Sequence, residues 1–119
     1  MLAVSTERRD HVAVVHASGE VDATTAHTLR SALSKAISEA GDNLVADLTE
    51  VTFMDSTGLG VLVGRLKEVR TRGGQLHCVV TTDRVRRVFM ATGLDTVLQL
   101  HDDVDSAVSA ITATSTAQA

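Results

Sequence analysis

The chain has 119 residues, 44% hydrophobic and 22% charged, enough for one ordinary domain that buries roughly two-thirds of its unfolded surface. Aromatic residues make up 2%, with no Trp or Tyr, and Phe53 and Phe89 stand far apart, so a base-stacking platform is excluded. Eleven Lys and Arg against fifteen Asp and Glu leave a net charge of −4, which gives no general attraction to nucleic-acid phosphates or anionic lipid.

In chain order, Leu2, Val4 and Thr6 alternate as an edge strand does, and Val12 to Ala17 reads as a more continuous apolar strand. The charged turn Glu7 to Asp10 joins them as a hairpin. Gly19-Glu20-Val21-Asp22 breaks the second strand, and Ala26, Leu29, Leu33, Ala36, Ile37 and Ala40 trace one face of a helix ended by Gly41. The other face carries His27, Arg30, Ser34, Lys35 and Ser38. Residues 43–48 form an apolar strand, and Leu59, Leu62, Val63, Leu66 and Val69 mark a helix over about 57–72 that stops at Gly73-Gly74. Leu76 to Val80 is the next strand. Asp83 then caps a short helix with Val85, Val88, Phe89 and Met90, ended by Gly93. Val97, Leu98 and Leu100 predict a last short strand, and Val104, Ala107, Val108 and Ile111 a terminal helix.

The order β-β-α-β-α-β-α-β-α places the chain in the α/β class. It predicts a mixed, mostly parallel sheet with an N-terminal antiparallel hairpin strand and helices packed on it. Residues 1–111 form one domain and 112–119 a small, polar, flexible tail. The N-terminus lacks a long apolar segment and no stretch approaches the ~18 apolar residues of a membrane span, so the chain reads as cytoplasmic. Cys78 is the only cysteine, inside an apolar run, and reads as a buried thiol.

Asp55-Ser56-Thr57-Gly58-Leu59-Gly60 is the most informative stretch, because it puts a hydroxyl where a buried strand turns into a helix. Ser56 falls at or beside the N-cap, where its oxygen can accept an orphan N–H and where the helix dipole favours negative charge. A phosphate there is held rather than repelled. With Asp55 adjacent, Asp55 takes the cap while Ser56 points outward, or it positions a metal or hydroxyl for phosphoryl transfer. Asp22 is the cap of the first helix, part of a charged turn, or a neighbour of Ser56, since loops at the carboxyl ends of parallel strands gather on one edge.

Gly58, Gly60 and Gly64 each cost about 0.5–1 kcal/mol in a helix interior. Thr57, Gly60, Val61 and Gly64 fall away from the apolar stripe, leaving a smooth strip beside Ser56. That strip is either a protein-docking surface or room for a neighbouring loop or helix of the same chain. Enzyme templates fit badly. There is no phosphate-binding G-x-x-x-x-G-K-[ST], Val63 stands where a dinucleotide fingerprint needs a third glycine, and Met54 stands where a nucleophile elbow needs its first. His11, His16, His27, His77 and His101 show neither catalytic context nor paired metal-ligand spacing; His11 and His16 lie on opposite faces of an extended strand. No cofactor or metal is expected.

The run Val45-Ala46-Asp47-Leu48-Thr49-Glu50-Val51-Thr52-Phe53-Met54-Asp55-Ser56-Thr57-Gly58-Leu59-Gly60 resembles the central signature of STAS domains, specifically bacterial anti-sigma-factor antagonists. The resemblance reaches back to Gly19-Glu20-Val21-Asp22 and forward through Gly73-Gly74 to Thr92-Gly93-Leu94, covering roughly residues 4–111. It implies a non-enzymatic partner switch. The unphosphorylated protein binds an anti-sigma factor that is also a serine kinase and frees the sigma factor; the kinase then phosphorylates the antagonist, and a serine phosphatase restores it. Ser56 matches the phosphoacceptor, Asp22 an aspartate of the docking surface, and Asp55 the acidic residue before the acceptor. With them, Thr57, Gly58, Gly60, Val61 and Gly64 are the expected partner-binding residues. Thr57 adds a second hydroxyl, and His77-Cys78 put softer, more polar residues into a strand where plain aliphatics are usual.

Two other readings remain beside this one. A receiver phosphorylated on Asp47 or Asp55 fits the length but not the opening pair of strands, and a STAS scaffold or transporter-associated component needs no phosphorylation at all.

Overall fold

Strand pairing runs in chain order across the sheet. In the computed structural model, which describes residues 1–118 and the side chains of 1–113, β1 (Leu2–Arg9) and β2 (Val12–Val21) form the antiparallel hairpin. Next come β3 (Asn43–Met54), β4 (Gln75–Val79) and β5 (Gln99–His101), each parallel to the one before. Between them lie α1 (Ala26–Ala40), α2 (Ser56–Thr71) and α3 (Asp83–Ala91), with a 3-10 turn at Leu94–Thr96 before β5. The helix α4 (Val104–Gln118) ends the described chain. It continues past Ile111, and the expected flexible tail, 112–119, lies for most of its length outside the described side chains.

Alternation along the central strands explains the layers. Ala13, Val15 and Ala17 of β2 and Leu44, Ala46 and Leu48 of β3 face one core with Leu29, Leu33, Leu62, Leu66 and Phe89 of α1, α2 and α3. Their neighbours Val12, Val14, Val45 and Val79 face the other way, onto Ala107, Val108 and Ile111 of α4. Central strands covered on both faces read as continuous apolar runs, which is why they were legible. The face of α1 is buried at Ala26, Leu29, Leu33, Ala36 and Ile37, as its spacing predicts.

Strand ends differ from the sequence reading. Glu7, Arg8 and Arg9 belong to β1, paired with Val14, Ala13 and Val12, and the turn is only Asp10-His11, with Asp10 at φ 55°. An exposed edge strand tolerates charge, so its polarity resembled a turn. His11 therefore sits in that turn and not on a strand face. β2 does not stop at Gly19; it runs to Val21 through register shifts on either side of residues 18–19. β3 extends six residues beyond 48, because Glu50 to Met54 pair with Ser18 to Val21. The cap of α3 is Thr82, with Asp83 inside its first turn.

Cys78 is fully buried, and burial pushes its thiol up to about 12, leaving it inert at neutral pH. His77, 2% exposed, stacks on His101, its Nε2 3.0 Å from Gln75 Oε1 and its Nδ1 2.9 Å from His101 Nε2. Burial, and secondarily the charge of His101, holds His77 down to about 4. The unfolded chain accepts a proton there at about 6.5, and the folded chain refuses it. Stability conferred by neutral His77 is thus complete above pH 6.5 and is lost as pH falls toward 4. His16 has the opposite sense. Burial lowers its pKa, but hydrogen bonds to Asp47 and Glu7 outweigh that, so its contribution is complete below 6.5 and lost as pH rises through the raised value. Urea unfolding is expected to show a loss of about 2 kcal/mol between pH 6.5 and 4 after allowance for solvent screening, and His77→Phe is expected to flatten that limb.

Candidate functional site

The extra length of β2 and β3 builds the site. Val21 pairs with Met54, and the Asp55 N–H donates to the Val21 carbonyl at 3.2 Å, so the turn after β2 and the start of α2 leave the sheet side by side. The loop before α3 joins the same edge, where the Thr82 hydroxyl donates to the Val51 carbonyl at 3.4 Å. Asp22, Asp55 and Ser56 thus share one end of the sheet, as the carboxyl-edge argument requires.

Asp55 is the cap of α2: its carboxylate Oδ1 accepts from the Thr57 N–H at 2.9 Å. Ser56, the first residue inside the helix, is exposed, and its hydroxyl carries no capping duty. At Asp22, Oδ1 accepts from the Thr24 hydroxyl at 2.7 Å and N–H at 2.9 Å, and from the Thr25 N–H at 3.1 Å. The Thr25 hydroxyl donates to the Glu20 carbonyl at 2.7 Å. The bonds to Thr24, then to Thr25, hold the Asp22 carboxyl below its usual range, so it is an anion in a rigid turn. Thr25, not Asp22, occupies the cap position of α1.

The glycines divide. A methyl at Gly58 would lie 2.7 Å from Val21 Cγ1 and 2.9 Å from Met54 Cγ, so this glycine exists to let the first turn of α2 rest on the ends of β2 and β3. It is buried and lies beneath the outer strip. A methyl at Gly60 or Gly64 meets nothing within 4 Å, so no part of the described chain requires either. Thr57 and Gly60 are exposed, Val61 and Gly64 half-buried.

Two further features went unread in the sequence. Phe53 is 37% exposed near the end of β3, opposite Glu20, an aromatic side chain on the surface. Phe counts as core by composition, and only the length of β3 carries it outward. A shallow groove of about 330 Å³ runs beside Thr57, Gly60 and Val61, walled by Arg30 and Arg65. Of the two aspartates of the receiver reading, Asp47 is 8% exposed in mid-strand, bonded to His16 and to the Thr49 N–H, and Asp55 caps α2. Among the described residues no group of three His, Cys, Asp or Glu is placed to hold a metal ion, and no helix is long and apolar enough to cross a membrane.

The two classes of glycine generate opposite expectations. Gly58→Ala is expected to lower stability by about 1–2 kcal/mol through overpacking against Val21 and Met54. Gly60→Ala, with open space around it, is expected to raise stability by about 0.5–1 kcal/mol. Thermal unfolding of the two variants measures both.

Comparison with known proteins bears on this arrangement. Residues 3–107 match the STAS domain family. Over 91 residues the chain is 43% identical to the anti-sigma-B factor antagonist of Listeria monocytogenes, spanning 76% of this chain and 79% of that protein. An anti-sigma factor antagonist from Mycobacterium paratuberculosis superimposes with a TM-score of 0.86 at 32% identity, over 93% of this chain and 94% of that one. The anti-sigma factor antagonist SpoIIAA in its unphosphorylated form gives a TM-score of 0.78 at 25% identity, over 93% and 97%.

Proposed function

The chain belongs to the STAS domain family and is homologous to anti-sigma-factor antagonists, and on that premise we propose that its unphosphorylated form binds an anti-sigma factor with serine kinase activity, releasing the sigma factor, until phosphorylation of Ser56 ends the binding. The free hydroxyl of Ser56 carries this reading: it is exposed in the first turn of α2 while Asp55 serves as the cap. A kinase can therefore reach the hydroxyl without unfolding the helix end.

In the transfer, Ser56 Oγ attacks the γ-phosphorus of ATP held by the kinase. The O–P bond forms as the bond to ADP breaks, and the hydroxyl proton passes to a base of the kinase. The chain supplies the acceptor and the docking surface, not the catalytic machinery. Asp22 on the adjacent turn and Thr57, Gly60, Val61 and Gly64 along α2 are the contact residues of this reading, and Gly58 supports the first turn of α2 from below. Docking covers a neutral serine. After transfer, about −1.5 to −2 charges stand at the same point, beside the Asp22 anion, and removing them from water without a cation is costly. The N-terminal dipole of α2 tolerates the phosphate within the free protein, so the fold survives while docking is lost. A serine phosphatase resets the switch in the cytoplasm, where sigma factors act.

Incubation with the kinase and ATP followed by phosphopeptide mapping is expected to place the phosphate on Ser56 and to leave Ser56→Ala unlabelled; full labelling of that variant would refute the assignment. Ser56→Asp is expected to weaken partner binding at least tenfold, about 1.4 kcal/mol, with little change in melting temperature. Equal affinity of both forms removes the charge mechanism.

A further inference from the structure

We propose that the groove along the outer side of α2 binds a carboxylate-bearing segment of the anti-sigma partner, its acidic side chain seated between Arg30 and Arg65 and its backbone against Gly60. This deepens the switch reading and rests on it.

The groove is lined by Arg30, Thr57, Gly60, Val61 and Arg65. Its cations differ in kind. Arg65 is braced from α1, its Nη1 donating to Ser34 Oγ at 2.9 Å. Its Nε lies 3.2 Å from Glu68 Oε1 yet is buried without a hydrogen bond, an ion pair in distance but not in alignment. Arg30 is exposed and makes no hydrogen bond or ion pair with any described residue. Glu68 offsets one positive charge and no acidic residue lines the groove beside the other, so a chain of net charge −4 carries a locally cationic groove. A braced guanidinium loses little freedom on binding, and the planar fork of arginine matches a carboxylate.

The anion comes from outside the chain. A phosphate on Ser56 is the internal candidate, but it does not engage both arginines: Arg65 lies nine residues further along α2, about 13 Å of helix rise, and its side chain is tied to Ser34 and Glu68. The floor points the same way. Gly60 lines the groove with open space where its side chain would be, as at Gly64 one turn on. Each weakens α2 in the free protein, so a closely approaching external backbone is what they fit. The volume of about 330 Å³ suits one or two side chains of such a segment.

The site also couples to the switch. Ser56 and Gly60 are four residues apart and face the same side of α2. A phosphate on Ser56 therefore stands one turn above Gly60, at the N-terminal end of the groove, and its charge disfavours the acidic segment.

Affinity for the purified anti-sigma kinase, measured at two ionic strengths, tests the proposal with Arg30→Glu, Arg30→Lys and Arg65→Gln beside Ser56→Asp. Arg30 is exposed and unpaired, so its variants fold. Arg30→Glu is expected to weaken binding at least tenfold and to reduce its salt dependence, with Arg30→Lys recovering most of the affinity and Arg65→Gln losing severalfold. A partner variant with the matching acid changed to Arg is expected to restore binding to Arg30→Glu. Wild-type affinity in Arg30→Glu and Arg65→Gln, with Ser56→Asp still weakened, overturns the groove assignment and leaves the switch standing. Wild-type affinity in all of them, Ser56→Asp included, overturns both.

Discussion

The first turn of α2 lies on the ends of β2 and β3 with no space for a side chain at residue 58, and the rest of the site depends on that contact. Gly58 sits against Val21 and Met54, and the Asp55 N–H reaches across to the Val21 carbonyl. Residue 55 is thereby held in extended geometry, from which its carboxylate turns back to cap the helix. Ser56 follows one step later with its hydroxyl outward. A packed interior transmits such constraints because it is close to crystal density and does not deform smoothly.

The opposite side of the sheet explains why a charge added at Ser56 can be a surface event. Asp47 holds His16, which reaches Glu7; Glu7 pairs with Arg9, and Arg9 with Asp105 at the start of α4. This chain of polar contacts joins the edge strand, both central strands and the terminal helix. Each exposed pair contributes little by itself. His16 and Asp47 are the better-shielded members, and they bond β2 to β3 on the face that α4 covers elsewhere. The frame beneath the site is thus cross-linked independently of the loops that carry Asp22 and Ser56. A modification that leaves the cap and the Gly58 contact intact does not reach that frame.

Within one helix, three glycines answer to two different demands. Gly58 satisfies packing inside the chain; Gly60 and Gly64 satisfy nothing inside it. A helix that accepts two such residues is less stable alone than it could be. The exposed Phe53 and the unpaired Arg30 are of residue types enriched at protein interfaces.

Periodicity and punctuation determined the order of elements, the buried faces of α1 and α2, the two-faced burial of the central strands and the place of Ser56 at a helix start, because these follow from local geometry and from which side chains leave water. The D-S-x-G-L-G run carried the family resemblance. Ends and neighbours were another matter. Glu7 to Arg9 and, around the buried Val51, Thr49, Glu50 and Thr52 are polar, and only hydrogen bonding to β2 makes these segments strand. Asp22 and Asp55 are more than thirty residues apart, and whether they meet was decided by how far β2 and β3 remain paired. Identical glycines at 58 and 60 separated into one buried and one open because strand ends lie under only the first. Sequence pattern records what a segment prefers by itself, whereas a strand's last residue, a glycine's neighbour and a groove's walls belong to pairs of segments, and those exist only once the chain has packed.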